Sequence, residues 1–442
     1  MPATLTTEQI LALAPDAGSA RNGQALAAAR HWVTLGCDEQ AAWGECQGSG
    51  KNPYQTQIDL STTAFRCSCP SRKFPCKHGI GLYLLLASQP AAFTQPAAPA
   101  WVSEWLAARH TRAQQKAERL TQQTEAVTDE TAQARRAEQR QKKVTAGLGE
   151  LELWLRDLVR GGLIAAKSQP LTFWEQPARR MIDAQAPGVA RLLREMSSTL
   201  STGNGSEHRL LEQLARLWLL VEGFRRIAAL PSETQADIRA LIGWTQNQEE
   251  LLAGSGVRDR WLVTGQRVTE EDRLRMQATW LRGITDKRHA LLLHFAHASQ
   301  PLDTSIVPGT VVDAELVFYP GAFPLRALIK ARHSTIFNLE TWPADATLAA
   351  AVEAYAAALA RNPWLERFPF VLQSVVPLRD EAGRWLVRDE QNHALPIHPG
   401  FERGWELLAL GGGRAIDLAG EWDGDSLLPL SVRVEGRFVR LS

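Results

Sequence analysis

Four residues in one short stretch are of types that bind metals: Cys67, Cys69, Cys76 and His78. Their order is C-x-C, six residues, then C-x-H. Three thiolates and an imidazole make the donor set of a tetrahedral Zn²⁺. The protein fills all four positions, so no coordination site stays open for a substrate; that separates structural from catalytic zinc. Only five cysteines occur in 442 residues, and three of them fall within ten. Chance does not cluster so scarce a residue. Cys37 and Cys46 lie nine apart with no histidine partner. They read as a half-buried thiol and a buried strand thiol, not as a second zinc site.

The flanking sequence must bring those four side chains to one point. Tyr54, Thr56, Ile58 and Leu60 alternate with Gln55, Gln57 and Asp59, the period of a strand. Ser61 to Thr63 is a polar turn, and Phe65 to Cys69 returns as the next strand. Residues i and i+2 share a strand face, so Cys67 and Cys69 point the same way. Pro70 and Pro75 bracket a loop that brings Cys76 back, and His78 opens the apolar run Ile80 to Leu86, long enough for a buried helix. Ala41 to Cys46 supplies a first strand. The expected unit is a ββ(β)α module closed by zinc.

The spacing and the surrounding words, WGECQGSGKNPY and CSCPSRKFPCKHGIGLYLLL, resemble a family of bacterial SWIM-type zinc finger proteins over about residues 40–88. A further resemblance, to the same family's helical segment, runs through GLGELELWLRDLVRGGL and FWEQPARRMIDAQAPGVARLLR. It implies one structural zinc on Cys67, Cys69, Cys76 and His78, a role in binding protein or nucleic acid, and no catalysis. Bacterial relatives are often encoded beside a MoxR-type AAA+ ATPase and a von Willebrand A-type (VWA) protein, so the resemblance implies those partners.

A chain of 442 residues exceeds one ordinary core, which predicts two or three domains. Its 45% apolar and 22% charged content is that of a globular protein. The first residues carry no charged leader before an apolar core, and no stretch nears twenty uninterrupted apolar residues, so neither a signal peptide nor a membrane span is expected. Few cysteines, grouped as thiolate ligands, suit a reducing cytoplasm. A net charge of +1 gives the whole molecule no pull toward nucleic acid.

The predicted fold class is α+β and multidomain. Residues 1–87 hold short helices, Thr6 to Ala14 and Gly23 to Leu35, with the finger; 88–100, rich in Pro and Ala, read as a linker. Residues 101–254 read as helical. Between Arg109 and Lys143 nine Lys/Arg face five Asp/Glu with few large apolar residues, a solvated connector. Leu148, Leu151, Trp154, Leu155 and Leu158 then make a firm amphipathic helix. The Arg/Asp pairs around Arg156, Asp157, Arg179 and Asp183 read as a buried polar network between helices, ahead of the alternative of a binding surface. Residues 255–442 read as β-rich with one Ala-rich helix, Thr347 to Leu359; Trp405 to Leu410 is among the expected strands.

No nucleophile elbow, phosphate loop or dinucleotide fingerprint occurs. His294 and His297, three apart, fall on opposite faces of a strand. The sequence thus points to a non-enzymatic adaptor. Its rival is a DNA- or RNA-binding finger, because Arg66, Arg72, Lys73 and Lys77 stand in a stretch, Leu60 to Ser103, that holds no acid.

Overall fold

The computed structural model describes residues 5–48, 52–95, 97–109, 111, 130–199, 206–271, 274–297, 300, 302–336, 341–345 and 347–441. Two short helices open it, α1 (Thr7–Ala12) and α2 (Ala17–Leu26). Thr6 caps α1, in a reciprocal box with Gln9. A four-stranded antiparallel meander follows: β1 (Trp32–Cys37), β2 (Ala41–Cys46), β3 (Tyr54–Asp59) and β4 (Ala64–Cys67). The helix expected over Gly23 to Leu35 therefore ends at Leu26, and Ala41 to Cys46 is the second strand. The chain then enters α3 (Lys77–Ser88), buried from His78 through Leu86. A helix apolar all round is a core element, and α3 is the core of this unit.

Residues 88–100 are not a free linker. The Gln95 N–H donates to Leu35 O at 3.1 Å, and Phe93 packs on the core beneath α3. Helix α4, over 100–109, sets Val102, Trp105 and Leu106 against Ala41 and Trp43 on the outer face of the sheet. The zinc unit thus runs on past residue 100. Most of the expected basic connector, 112–129, lies outside the described residues.

The helical region holds α5 (Glu130–Gly161), α6 (Leu163–Lys167), α7 (Leu171–Asp183), α8 (Pro187–Thr199), α9 (Ser206–Arg225), α10 (Ser232–Ile242) and α11 (Gln248–Ala253). Leu148, Leu151, Leu155 and Leu158 meet Trp174, Leu193, Leu214 and Leu217 in one core. Arg140 stacks on Trp244 and donates to Gly243 O at 3.1 Å. The expected buried Arg/Asp network is absent from the described residues. Asp157 and Arg160 are 77% and 78% exposed, and Arg179 lies outside with Glu175.

The C-terminal half has two antiparallel sheets. The first, in order β7-β6-β5-β8-β9, uses β5 (Val257–Glu271), β6 (Leu274–Gly283), β7 (His289–His297), β8 (Val311–Phe318) and β9 (Ala327–Ile336). The second, in order β12-β11-β10-β13-β14-β15, uses β10 (Phe368–Arg379), β11 (Trp385–Arg388), β12 (Ala394–Pro396), β13 (Ile416–Trp422), β14 (Leu427–Val434) and β15 (Arg437–Arg440). Helix α12 (Leu348–Arg361) covers β10. Trp405 to Leu410 is not a strand: it lies in α13 (Gly404–Gly411), whose Gly404, Leu407 and Gly411 face inward at helical spacing. Strand β5 lies on β13 and β14, where a Cβ on Gly265 would meet Leu430 Cβ at 2.6 Å. Glu421, buried between the sheets, accepts from Arg267 Nε at 2.9 Å and Trp280 Nε1 at 2.8 Å.

Both N-terminal units are tied to this half. Val307 completes the core under α3, Thr304 donates to Thr63 O at 3.4 Å, and Arg437 pairs with Glu8. Trp364 enters the bundle core and donates from Nε1 to Arg216 O at 2.9 Å.

Candidate metal centre

Strand β4 brings Cys67 opposite Thr56 on β3. Pairing continues one residue further, for the Ser68 N–H donates to Gln55 O at 2.9 Å and the Gln55 N–H to Ser68 Oγ at 3.0 Å. Cys69 therefore stays on the face of Cys67. The turn before β4 is fixed by Asp59. Its carboxylate accepts from Ser61 N, Ser61 Oγ at 2.5 Å and Thr62 Oγ1 at 2.6 Å. Thr63 there has φ 51°, and Arg109 of α4 reaches back to Asp59 at 3.3 Å. Burial works to raise the Asp59 carboxyl, but the hydroxyls of Ser61 and Thr62 and the Arg109 charge hold it below its ordinary value.

Cys76 is the N-cap of α3, and His78 lies in the helix's first turn. The helix sits close to its neighbours because glycines let it. A Cβ on Gly79 would meet Phe65 Cδ1 at 2.9 Å, and one on Gly81 would meet Leu26 Cβ at 2.8 Å. Tyr54 flanks the imidazole, ring centroids 5.1 Å apart.

The result is a closed cluster. The three Sγ atoms and an imidazole nitrogen all lie within 4.8 Å of one another. His78 Nδ1 stands 3.7 Å from Cys67 Sγ and 3.9 Å from Cys76 Sγ. A tetrahedral Zn²⁺ with Zn–S of about 2.3 Å and Zn–N of about 2.0 Å needs ligand atoms roughly 3.5–3.8 Å apart. Donor types and spacing both fit. His78 is buried, Cys67 and Cys69 are half-buried, and Thr56 Oγ1 lies 3.2 Å from Cys67 Sγ, where its hydroxyl can donate to the thiolate. Cys76 is held down to about 4, first by the hydrogen bond from Cys67 and then by those from His78 and the Gly79 amide. Cys67 is pushed up because its proton is held against Cys76, and burial raises Cys69. Cys67, Cys69, Cys76 and His78 would hold the cation, and its binding would displace the protons left on the thiols.

Residues 54–87 match the SWIM zinc finger, over β3, β4 and most of α3. The chain carries a SWIM zinc finger. Residues 139–242 match the SWIM-associated four-helix bundle domain, over the helices around Trp174 and Leu214. The chain is therefore a SWIM-type zinc finger protein, and Cys67, Cys69, Cys76 and His78 form a Cys₃His cluster suited to one structural zinc. No curated protein and no solved structure matches the chain.

The structure brings together the four expected ligands. Cys46 is buried on β2 with its thiol pushed up to about 11 by burial, and Cys37 is half-buried. Arg66, Arg72, Lys73 and Lys77 are all exposed around the finger, but Lys73 is engaged by Asp16 at 2.7 Å. His294 and His297 are exposed on β7. Sequence reasoning missed Thr56, the Asp59–Arg109 clamp and the glycines of α3. Asp59 followed by Ser and Thr was the legible signal, since such side chains cap turns.

Proposed function

We propose that this protein is a non-enzymatic adaptor that recognises other proteins through its finger and bundle. The observation that carries the reading is the filled Cys₃His cluster, which leaves no metal position for substrate. The bundle supplies a contact surface: Leu153, Ile164 and Leu171, on three successive helices, are 61%, 85% and 73% exposed. A cleft beside Leu171 and Trp174 carries a carboxylate, Glu175, that Arg194 and Arg179 hold below its ordinary value. A general acid needs the opposite shift.

The partners we propose are a MoxR-type AAA+ ATPase and a VWA-type protein, on the family resemblance, in a bacterial cytoplasm whose reducing potential keeps the three thiolates available. No helix among the described residues is long and apolar enough to cross a membrane. The second reading, nucleic-acid binding by the finger, draws on exposed Arg66, Arg72 and Lys77.

The test is co-purification at moderate salt from the native host, read for those two protein classes by mass spectrometry. Wild-type protein is expected to retain the ATPase, and Leu153→Glu with Ile164→Glu and Leu171→Glu to lose it. Retention by the variant, or absence of both classes from the wild type, refutes the reading.

A further inference from the structure

Thr56 occupies an inward position on β3. It shares a strand face with the fully buried Ile58 and is itself 0% exposed. A hydrocarbon side chain is the default at such a place, because a buried hydroxyl without a partner loses its hydration for nothing. Buried threonines elsewhere turn to oxygen: Thr264 Oγ1 donates to Trp280 O at 3.2 Å, and Thr310 Oγ1 to Val307 O at 2.8 Å. The Thr56 hydroxyl has a different partner. Among the described residues it meets Cys67 Sγ alone, at 3.2 Å.

The strand ladder builds this contact. Cys67 on β4 is the direct cross-strand neighbour of Thr56 on β3, so the two side chains leave the sheet side by side. The pairing of Ser68 with Gln55, one residue on, holds that register. The hydroxyl is thereby fixed beside one particular ligand.

A donor at that point has chemistry to do. Three thiolates around a divalent cation leave negative charge in excess, and Cys76 and His78 hold it in a buried place. Hydrogen bonds to sulfur spread the charge, and an ionised acceptor makes them strong. Backbone amides favour all three thiolates: that of Cys69 acts on Cys67, that of Ser71 on Cys69 and that of Gly79 on Cys76. Cys67 has the Thr56 hydroxyl besides. The other side-chain hydrogen bonds given for these sulfurs come from within the ligand set, through His78.

We propose that Thr56 is a positioning residue of the metal centre, whose hydroxyl donates to the Cys67 thiolate, aims that sulfur at the ion and so sets how tightly the finger holds zinc. Thr56 acts through Cys67 and does not ligate. Groups that orient metal ligands in this way change metal affinity about 10–100-fold when they are removed.

The experiment uses the full-length protein in two forms. Zinc-loaded protein is titrated with a chromophoric chelator to give affinity, and cobalt(II)-loaded protein is read by its absorption. Thr56→Val keeps the branched shape on β3 and deletes the hydroxyl. It should weaken zinc about tenfold or more. It should also move the sulfur-to-cobalt charge-transfer band to longer wavelength, because a thiolate without its donor gives up electrons more readily. Thr56→Ser, which restores the hydroxyl, should return both readings to wild-type values. Thr264→Val, which removes a buried hydroxyl from β5, should change neither. Far-UV circular dichroism of the zinc-loaded variants should superpose on the wild type, so that the loss is read on a folded finger. Wild-type affinity and spectrum in Thr56→Val overturn the proposal. So does Thr56→Ser as weak as Thr56→Val, which marks methyl packing, or weakened zinc with an unshifted band, which marks strand packing alone. A wild type without a tetrahedral cobalt spectrum overturns the metal reading itself, and the proposal with it.

Discussion

The finger and the bundle are both recognisable units, and both lean on the C-terminal half, but different physics holds them. The bundle buries long apolar faces of several helices around Trp174, Leu193 and Leu214. The matched finger, residues 54–87, falls below the roughly 40 residues at which a chain can usually dispense with metal or a cross-link. It borrows Leu5 and Ile10 from before it, α4 from after it and Val307 from the far half. The lesson is that a strong local motif is compatible with weak local autonomy.

The sharpest break of that comparison is Cys76→Ser. Structural zinc in small units contributes roughly 10–16 kcal/mol of apparent binding free energy. The variant should lose its single equivalent of zinc, and hydrogen exchange in β3, β4 and α3 should rise to unfolded rates while α9 stays protected. Simultaneous loss of protection in α9 would show the two units to be one. Trp174→Ala makes the converse cut. Trp174 is 1% exposed, and truncation of such a side chain costs about 3–5 kcal/mol. Denaturation of the bundle should shift by that amount with zinc content unchanged; zinc loss on this substitution would contradict the division.

The smallest effect is expected at Asp237, on the seam between bundle and β-sheets. Burial raises its carboxyl to about 6. A group raised in the folded state adds stability below its unfolded value, near 3.8, and loses it as pH climbs through about 6. Asp237→Asn keeps an acceptor for the Ala322 N–H but no charge. Its melting temperature should match the wild type near pH 4 and exceed it modestly at pH 8. Parallel pH profiles for the two proteins would rule out Asp237 as the source.

What the sequence made legible follows from range. The zinc ligands were plain because residue type and spacing alone define them, and the finger's local strands followed. Strand β1 was hidden because the Ala-rich run before Trp32 extends a helical pattern past Leu26, where α2 stops. Strand β5 was hidden because buried Asp259 interrupts its apolar face and a register shift between Val263 and Gly265 breaks the alternation. The 88–100 segment looked like a linker because Pro and Ala carry no pattern, and only Leu35 and Trp43, far upstream, reveal its partners.

The tie between α1 and β15 sets a schedule for synthesis. Arg440 donates to the carbonyl of Ala12 across 428 residues. At about 5–20 residues per second, α1 leaves the ribosome roughly 20–90 s before that partner exists. Through that interval all four ligands of the finger exist but its dock does not, so the Cys₃His set is complete in the chain before the molecule can close.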